Sequence, residues 1–301
     1  MKHRIYKAKL LLFGEYTIIQ GFQALAMPLD HFRANWVHRS VSEQDLNRRK
    51  FLLGLADYLE KLNDQIDFKL EVANFKTDLA SDLYFESNIP IGYGVGSSGA
   101  LTAAVYDRYI KDTTDLKLEI LKSRLALIES FFHGSSSGID PLICYLDQTV
   151  LMESKTKIKT VQLNTSKESI GSIFLLNTGI PRKTEPLVEI FLQKCKDEYF
   201  QGHCQSELSP LNDDAIDAFL KGDWKELFQT THEISYFQYK YFAPMIPKNI
   251  QQIWLDGLSN SLFKLKLCGA GGGGFMLGFT EDMEKTKLAI NQFPIKEVCK
   301  V

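Results

Sequence analysis

Pro90-Ile91-Gly92-Tyr93-Gly94-Val95-Gly96-Ser97-Ser98-Gly99 sets glycine at three alternate positions and follows them with two serines. Such a run lets the backbone approach an anion closely and aim several N–H groups at one point. Residues 100–110 then carry Leu101, Ala104, Val105 and Tyr109 at helical spacing, with Ser97 or Ser98 available as an N-cap. The amides therefore sit at the start of a helix, whose dipole and unpaired N–H groups favour negative charge. A lone Gly-x-Gly reads as an ordinary tight turn. Here glycines, serines and helix agree, and the chemical reading is a polyphosphate site.

Two common nucleotide signatures fail to account for the loop. A P-loop requires lysine after its last glycine, and none follows Gly96 or Gly99. Gly94, Gly96 and Gly99 satisfy Gly-x-Gly-x-x-Gly, but Ser87-Asn88-Ile89-Pro90 is a poor strand to precede it and Asp115 opens a helix instead of closing a second strand. The later run Gly269-Ala270-Gly271-Gly272-Gly273-Gly274 leads into a strand where a dinucleotide motif needs a helix.

Working outward, Lys9-Leu10-Leu11-Leu12-Phe13 ends at a glycine and predicts a buried strand, with Tyr16-Thr17-Ile18-Ile19 returning as a second one. Helical spacing marks 43–61 and 115–132, and Phe68-Lys69-Leu70-Glu71-Val72 alternates like a half-buried strand. Thr149-Val150-Leu151-Met152 and Ser172-Ile173-Phe174-Leu175-Leu176 read as strands flanking a polar stretch, 153–169, where a domain boundary is expected. Helical patterns follow at 185–199, 214–220 and 224–242, then Phe263-Lys264-Leu265-Lys266-Leu267, the glycine run and Phe275-Met276-Leu277-Gly278-Phe279 give strand, loop, strand. Strands and helices mix without regular βαβ alternation, so the fold class is α+β.

The 301 residues suffice for two domains, expected at 1–168 and 169–301. A net charge of -2 offers no field for a polyanion, so nucleic acid is excluded as a partner. Five widely spaced cysteines without a Cys-x-x-Cys pair fit reduced thiols, and no apolar run approaches the roughly 20 residues that span a bilayer. A cytoplasmic protein is expected, with no membrane partner and a homodimer as the candidate assembly. His133 beside Ser135-Ser136-Ser137 lacks the Gly-x-Ser-x-Gly elbow of a serine hydrolase, and His232 has no second ligand at a zinc spacing.

Three separated motifs resemble the GHMP kinases, the family named for galactokinase, homoserine kinase, mevalonate kinase and phosphomevalonate kinase. They are Lys9-Leu10-Leu11-Leu12-Phe13-Gly14-Glu15-Tyr16, the Pro90 loop with Val95 for the usual leucine and Gly99 for an alanine, and Leu267-Cys268-Gly269-Ala270-Gly271-Gly272-Gly273-Gly274. His133-Gly134-Ser135-Ser136-Ser137-Gly138-Ile139-Asp140 and Asn177-Thr178-Gly179-Ile180-Pro181-Arg182-Lys183-Thr184 are similar to the mevalonate kinase branch, whereas Tyr16 is more like phosphomevalonate kinases. The resemblance implies a ribosomal protein S5 domain 2-like N-terminal domain and a ferredoxin-like C-terminal one.

It also implies an ATP- and Mg2+-dependent kinase phosphorylating the primary hydroxyl of mevalonate, with phosphomevalonate or a sugar as the alternative acceptor, or a non-catalytic binding protein of the same fold. Asp140 and Lys9 take the catalytic positions. Pro90, Gly92, Gly94, Gly96, Ser97, Ser98 and Gly99 bind ATP, and Ser98 with Glu129 takes the metal. Glu15, Tyr16, Arg182, Thr184, Gly271 and Gly272 are the expected substrate contacts, Arg182 suiting a carboxylate.

Overall fold

The first strand is longer than its apolar run: β1 covers Ile5–Phe13, burying Tyr6, Ala8, Leu10, Leu12 and Phe13 together with Lys9. Its return is not Tyr16-Thr17-Ile18-Ile19. Gly14 (φ 110°) and Tyr16 (φ 67°) turn the chain through left-handed backbone, Ile18 N–H bonds the Gly14 carbonyl, and Thr17–Gln20 forms a 3-10 turn. Tyr16 and the residues after it thus leave the extended conformation that strand pairing requires. The partner strand β2 begins later and spans Ala24–His38, beside β1. The computed structural model describes residues 4–40, 42, 45–112, 116–154, 156–163, 168–182 and 185–301.

The chain forms two units, each assembled from separated stretches. One comprises the residues up to Lys9, Pro28–Pro90 and Gly96–Asp147; the other comprises Leu10–Met27, Ile91–Val95 and Gln148–Val301. The sequence reading draws one cut at 168/169, whereas these units interleave.

In the first unit, α1 (Leu46–Asn63) and α2 (Val72–Ala80) precede β3 (Leu83–Ser87), which pairs antiparallel with β2, Trp36 facing Phe85. The expected strand at 68–72 reduces to a single bridge from Leu70 to Ile110. Val72, Phe75 and Leu79 are buried at helical spacing, and that face draws the chain into α2. Next come α3 (Ser97–Tyr109), α4 (Leu118–His133) and α5 (Ile139–Leu146), packed on one another. Most of α3 is buried, which its small residues Gly99, Ala100, Ala103 and Ala104 permit.

In the second unit, β4 (Thr149–Met152) pairs with Ala24, Leu25 and Ala26 of β2 and with β5 (Ile158–Val161). The polar stretch 153–169 hid β5, because an edge strand needs little apolar patterning and only Ile158 is buried. Beyond β6 (Ser172–Asn177) come α6 (Glu185–Lys194), α7 (Glu198–His203), α8 (Ser209–Lys221), α9 (Trp224–Tyr241) and α10 (Lys248–Asn260). The chain closes with β7 (Phe263–Leu267), β8 (Phe275–Thr280), α11 (Met283–Ala289) and β9 (Ile295–Lys300). The antiparallel order β7-β8-β6-β9 is the split βαββαβ arrangement expected of a ferredoxin-like domain. Every residue of β7 and β8 is buried, so Lys264 and Lys266 do not lie on an open face. Among the described residues no helix is long and apolar enough to cross a membrane.

Candidate active site

The helix after the glycine loop starts at Ser97, three residues earlier than its apolar spacing shows, and its N-cap is Gly96 (φ 78°), not a serine. No side chain caps it, which leaves first-turn amides for an anion. Two of the glycines make room for more than a phosphate. A Cβ on Gly96 would lie 2.7 Å from Lys9 Cγ, and one on Gly99 would lie 2.9 Å from both the Asp140 carbonyl carbon and the Pro141 nitrogen. The lysine stem thus passes directly against the loop, and α5 is drawn against α3. Gly99→Ala is expected to cost about 1–3 kcal/mol by overpacking a backbone contact and to lower turnover by displacing Asp140. Chemical unfolding and initial rates check it, and wild-type values in both would remove this role from Gly99.

Lys9 Nζ lies 2.9 Å from Asp140 Oδ1; the lysine side chain is 8% exposed and the aspartate 36%. Asp140 is the second residue of α5, whose N-cap is Gly138. Its carboxylate is therefore open enough to meet a ligand while its partner is buried. Glu129 in α4 is buried, with Ser98 Oγ donating to Oε1 (3.0 Å) and Ser136 Oγ donating to Oε2 (2.5 Å). Burial, aided by the charge of Asp140, pushes the Glu129 carboxyl up to about 7, against the pull of both serines and Lys9.

These groups suit Mg2+. Glu129 and Ser98 offer hard oxygen donors, and a cation would relieve the desolvation and repulsion that now favour protonating Glu129. Among the described residues no group of three or more His, Cys, Asp or Glu side chains is placed to hold a metal ion, so the remaining ligands would be phosphate oxygens and water. The proton on Glu129 also has a consequence for stability. Its folded pKa lies above the ordinary carboxylate value, so the folded state holds the extra proton between about pH 4.5 and 7 and loses stability as pH rises through that window. The loss is on the order of 3 kcal/mol in metal-free protein. Urea unfolding at pH 5 and pH 8 should show it, and Glu129→Gln should flatten it; an unchanged slope in that variant would assign the effect elsewhere.

The second unit holds the other expected contacts. Glu15 Oε1 lies 2.5 Å from Lys266 Nζ, with both side chains at most 2% exposed. Lys266 also donates to the carbonyls of Leu12 (2.9 Å) and Leu267 (3.0 Å). Burial pushes the Glu15 carboxyl up, while Lys266 and the Gly269 N–H pull it down. Glu15 thus faces an internal partner, and Lys266 is a buried anchor that sequence reasoning missed. The Tyr16 ring stacks on Phe191 (centroids 4.5 Å apart) and meets Phe242 edge-on, and its hydroxyl donates to the Ala270 carbonyl at 2.6 Å.

Arg182 joins the two glycine-rich stretches within this unit. Its N–H bonds the Gly92 carbonyl (2.9 Å), its Nη1 donates to the Gly271 carbonyl (2.7 Å), and its Nη2 occupies the space where a Cβ on Gly94 or Gly269 would project. Gly272 N–H bonds the Met245 carbonyl at 2.5 Å. Thr184 lies outside the described residues. Ser136 went unnoticed among the three serines before Gly138; its position in the His133–Asp140 segment was the available signal.

The family profile described as GHMP kinases N terminal domain matches residues 52–148. A Pyrococcus abyssi mevalonate kinase is 28% identical over 160 residues, 45% of this chain and 46% of that protein. In that comparison the chain spans about half the length of its relative. A Methanocaldococcus jannaschii mevalonate kinase is 24% identical over 93% of this chain and 92% of its own. Among solved structures, L. major mevalonate kinase in complex with R-mevalonate superposes with a TM-score of 0.65 at 15% identity, covering 97% of this chain and 90% of that one. Streptococcus pneumoniae phosphomevalonate kinase and Lactococcus lactis galactokinase share the fold too. Residues 52–148 thus match the GHMP kinase N-terminal domain, and the chain as a whole shares the fold of these kinases. The curated relatives matched all bear one name, mevalonate kinase.

Proposed function

We propose that the chain transfers the γ-phosphoryl group of ATP to the primary hydroxyl of mevalonate, in the presence of Mg2+ and in the cytoplasm. The observation that carries this reading is the Lys9–Asp140 pair, held against the helix-starting loop in the same unit as Glu129 and Ser98. Phosphoryl transfer asks for charge neutralisation and alignment of an acceptor oxygen, with little covalent work by the protein. First-turn amides of α3 would take phosphate oxygens. Glu129 and Ser98 would hold Mg2+, which neutralises phosphate charge. Asp140 would orient the acceptor hydroxyl and receive its proton, with Lys9 holding the aspartate in place through their ion pair.

Arg182 is proposed for the carboxylate of the acid, and the shared name of the full-length relatives supports mevalonate over other acceptors. Free cysteines throughout agree with a reducing compartment. One observation favours phosphomevalonate as a second reading, namely tyrosine at position 16. The test is Mg2+-dependent ADP release with mevalonate, phosphomevalonate, homoserine and galactose. Fastest turnover of mevalonate is expected, preference for phosphomevalonate would reassign the acceptor, and release with none would end the kinase reading.

A further inference from the structure

We propose that Ser136 is a positioning residue of this site, fixing the Glu129 carboxylate for a divalent cation and tying it to the start of the helix that carries Asp140; the inference rests on the kinase reading above. A serine hydroxyl has one proton and two lone pairs. Ser136 sends its proton to Glu129 Oε2 and accepts the N–H of Gly138 at 2.9 Å. Gly138 is the N-cap of α5, and Asp140 lies two residues further on. One hydroxyl thus connects the carboxylate placed for the metal with the backbone that aims the carboxylate placed for the acceptor. Ser98 holds the other Glu129 oxygen from α3, so the carboxylate is gripped from two elements.

The neighbouring serines do not duplicate this. Ser137 Oγ meets the Ile139 N–H at 3.4 Å, and Ser135 is exposed. Glu129 is 4% exposed, so a carboxylate that lost Ser136 would have little water to take the place of the missing donor. It could turn about its terminal torsion, which is broad for glutamate, and present its lone pairs in a different direction. Partners of a ligating carboxylate commonly govern ten- to 100-fold in metal affinity.

The experiment uses the full chain with ADP and Mn2+, following bound Mn2+ by electron paramagnetic resonance alongside the Mg2+ activation constant in the kinase assay. Ser136→Ala should weaken Mn2+ binding about tenfold and raise the activation constant by a similar factor, with the KM for the acceptor unchanged. Ser136→Thr, which keeps the hydroxyl, should restore most of the affinity, and Ser135→Ala should leave both readouts within twofold. Wild-type Mn2+ affinity in Ser136→Ala would overturn the proposal, as would a loss that Ser136→Thr does not repair. Should Ser136→Ala fail to fold, wild-type affinity in Ser136→Thr supports the proposal and a tenfold loss overturns it. Wild-type protein that binds Mn2+ with ADP yet phosphorylates no acceptor would sink the kinase reading alone, because the Mn2+ comparison among variants still stands.

Discussion

Asp140→Asn is expected to lower turnover by roughly 10²- to 10⁴-fold, the range for a positioned proton acceptor, while nucleotide binding survives. The asparagine keeps the shape that lets α5 lie against Gly99, so the backbone has no reason to move. What disappears is a negative charge 2.9 Å from Lys9 Nζ and a base for the acceptor hydroxyl. A second readout separates this from general damage. Asp140 is one of the causes that raise the Glu129 carboxyl, so its neutralisation should let Glu129 ionise at lower pH. Metal-dependent nucleotide binding should then persist to lower pH in the variant than in wild type. Initial rates and binding isotherms between pH 5.5 and 8 decide it, and near-normal turnover would remove Asp140 from the chemistry.

Lys266→Met should be the most destabilising single change, by about 3–5 kcal/mol. The ammonium is 1% exposed, all three of its protons are donated, and it lies 5.4 Å from the centre of the Phe13 ring. Methionine fills similar volume, so the cost arises from stranding Glu15 and two carbonyls without their donor. Against a typical total stability of about 5–15 kcal/mol, that loss endangers folding. Glu15→Gln combined with Lys266→Met should recover much of it, since the stranded charge is then gone. Urea unfolding of the two single variants and the double variant measures the coupling. Additive losses in the double variant would show that the pair is two independent contacts.

Much of this could be read from residue order, because glycine runs and helical spacing are local properties. The Pro90 loop, α1, α4, α9 and the strand–loop–strand around Gly269 announce themselves through composition alone. What escaped depended on distant partners. Thr17-Ile18-Ile19 is β-branched yet forms a 3-10 turn, because Gly14 and Tyr16 bend the backbone and Tyr16 packs among Phe191 and Phe242. The alternation of Phe68, Leu70 and Val72 passed for a strand because burial of a bridge residue followed by a helix face gives the same short pattern.

The candidate site divides in the same way. Lys9, Glu129, Ser98 and Asp140 were found by motif and converge in one unit. Lys266 was invisible, since a lysine in an alternating strand reads as solvated until the sheet is seen to be covered on both faces. Glu15 and Tyr16, expected to meet substrate, direct polar atoms at Lys266 and at the Ala270 carbonyl. Local patterning identifies which residues carry chemistry more readily than it identifies which ones hold those residues still.

The membership of β1 has a kinetic consequence. All segments of the first unit have left the ribosome once residue 147 has emerged, whereas Phe13 belongs to the second unit and gains Phe219 and Phe279 only after those later residues have been made. At ordinary elongation speeds that leaves the Phe13 side of this strand without both rings for roughly 7 to 26 seconds after residue 147. Production of the chain should therefore respond to chaperone supply and to translation speed more than its ordinary composition suggests, and a fragment ending at Asp147 should aggregate through this strand.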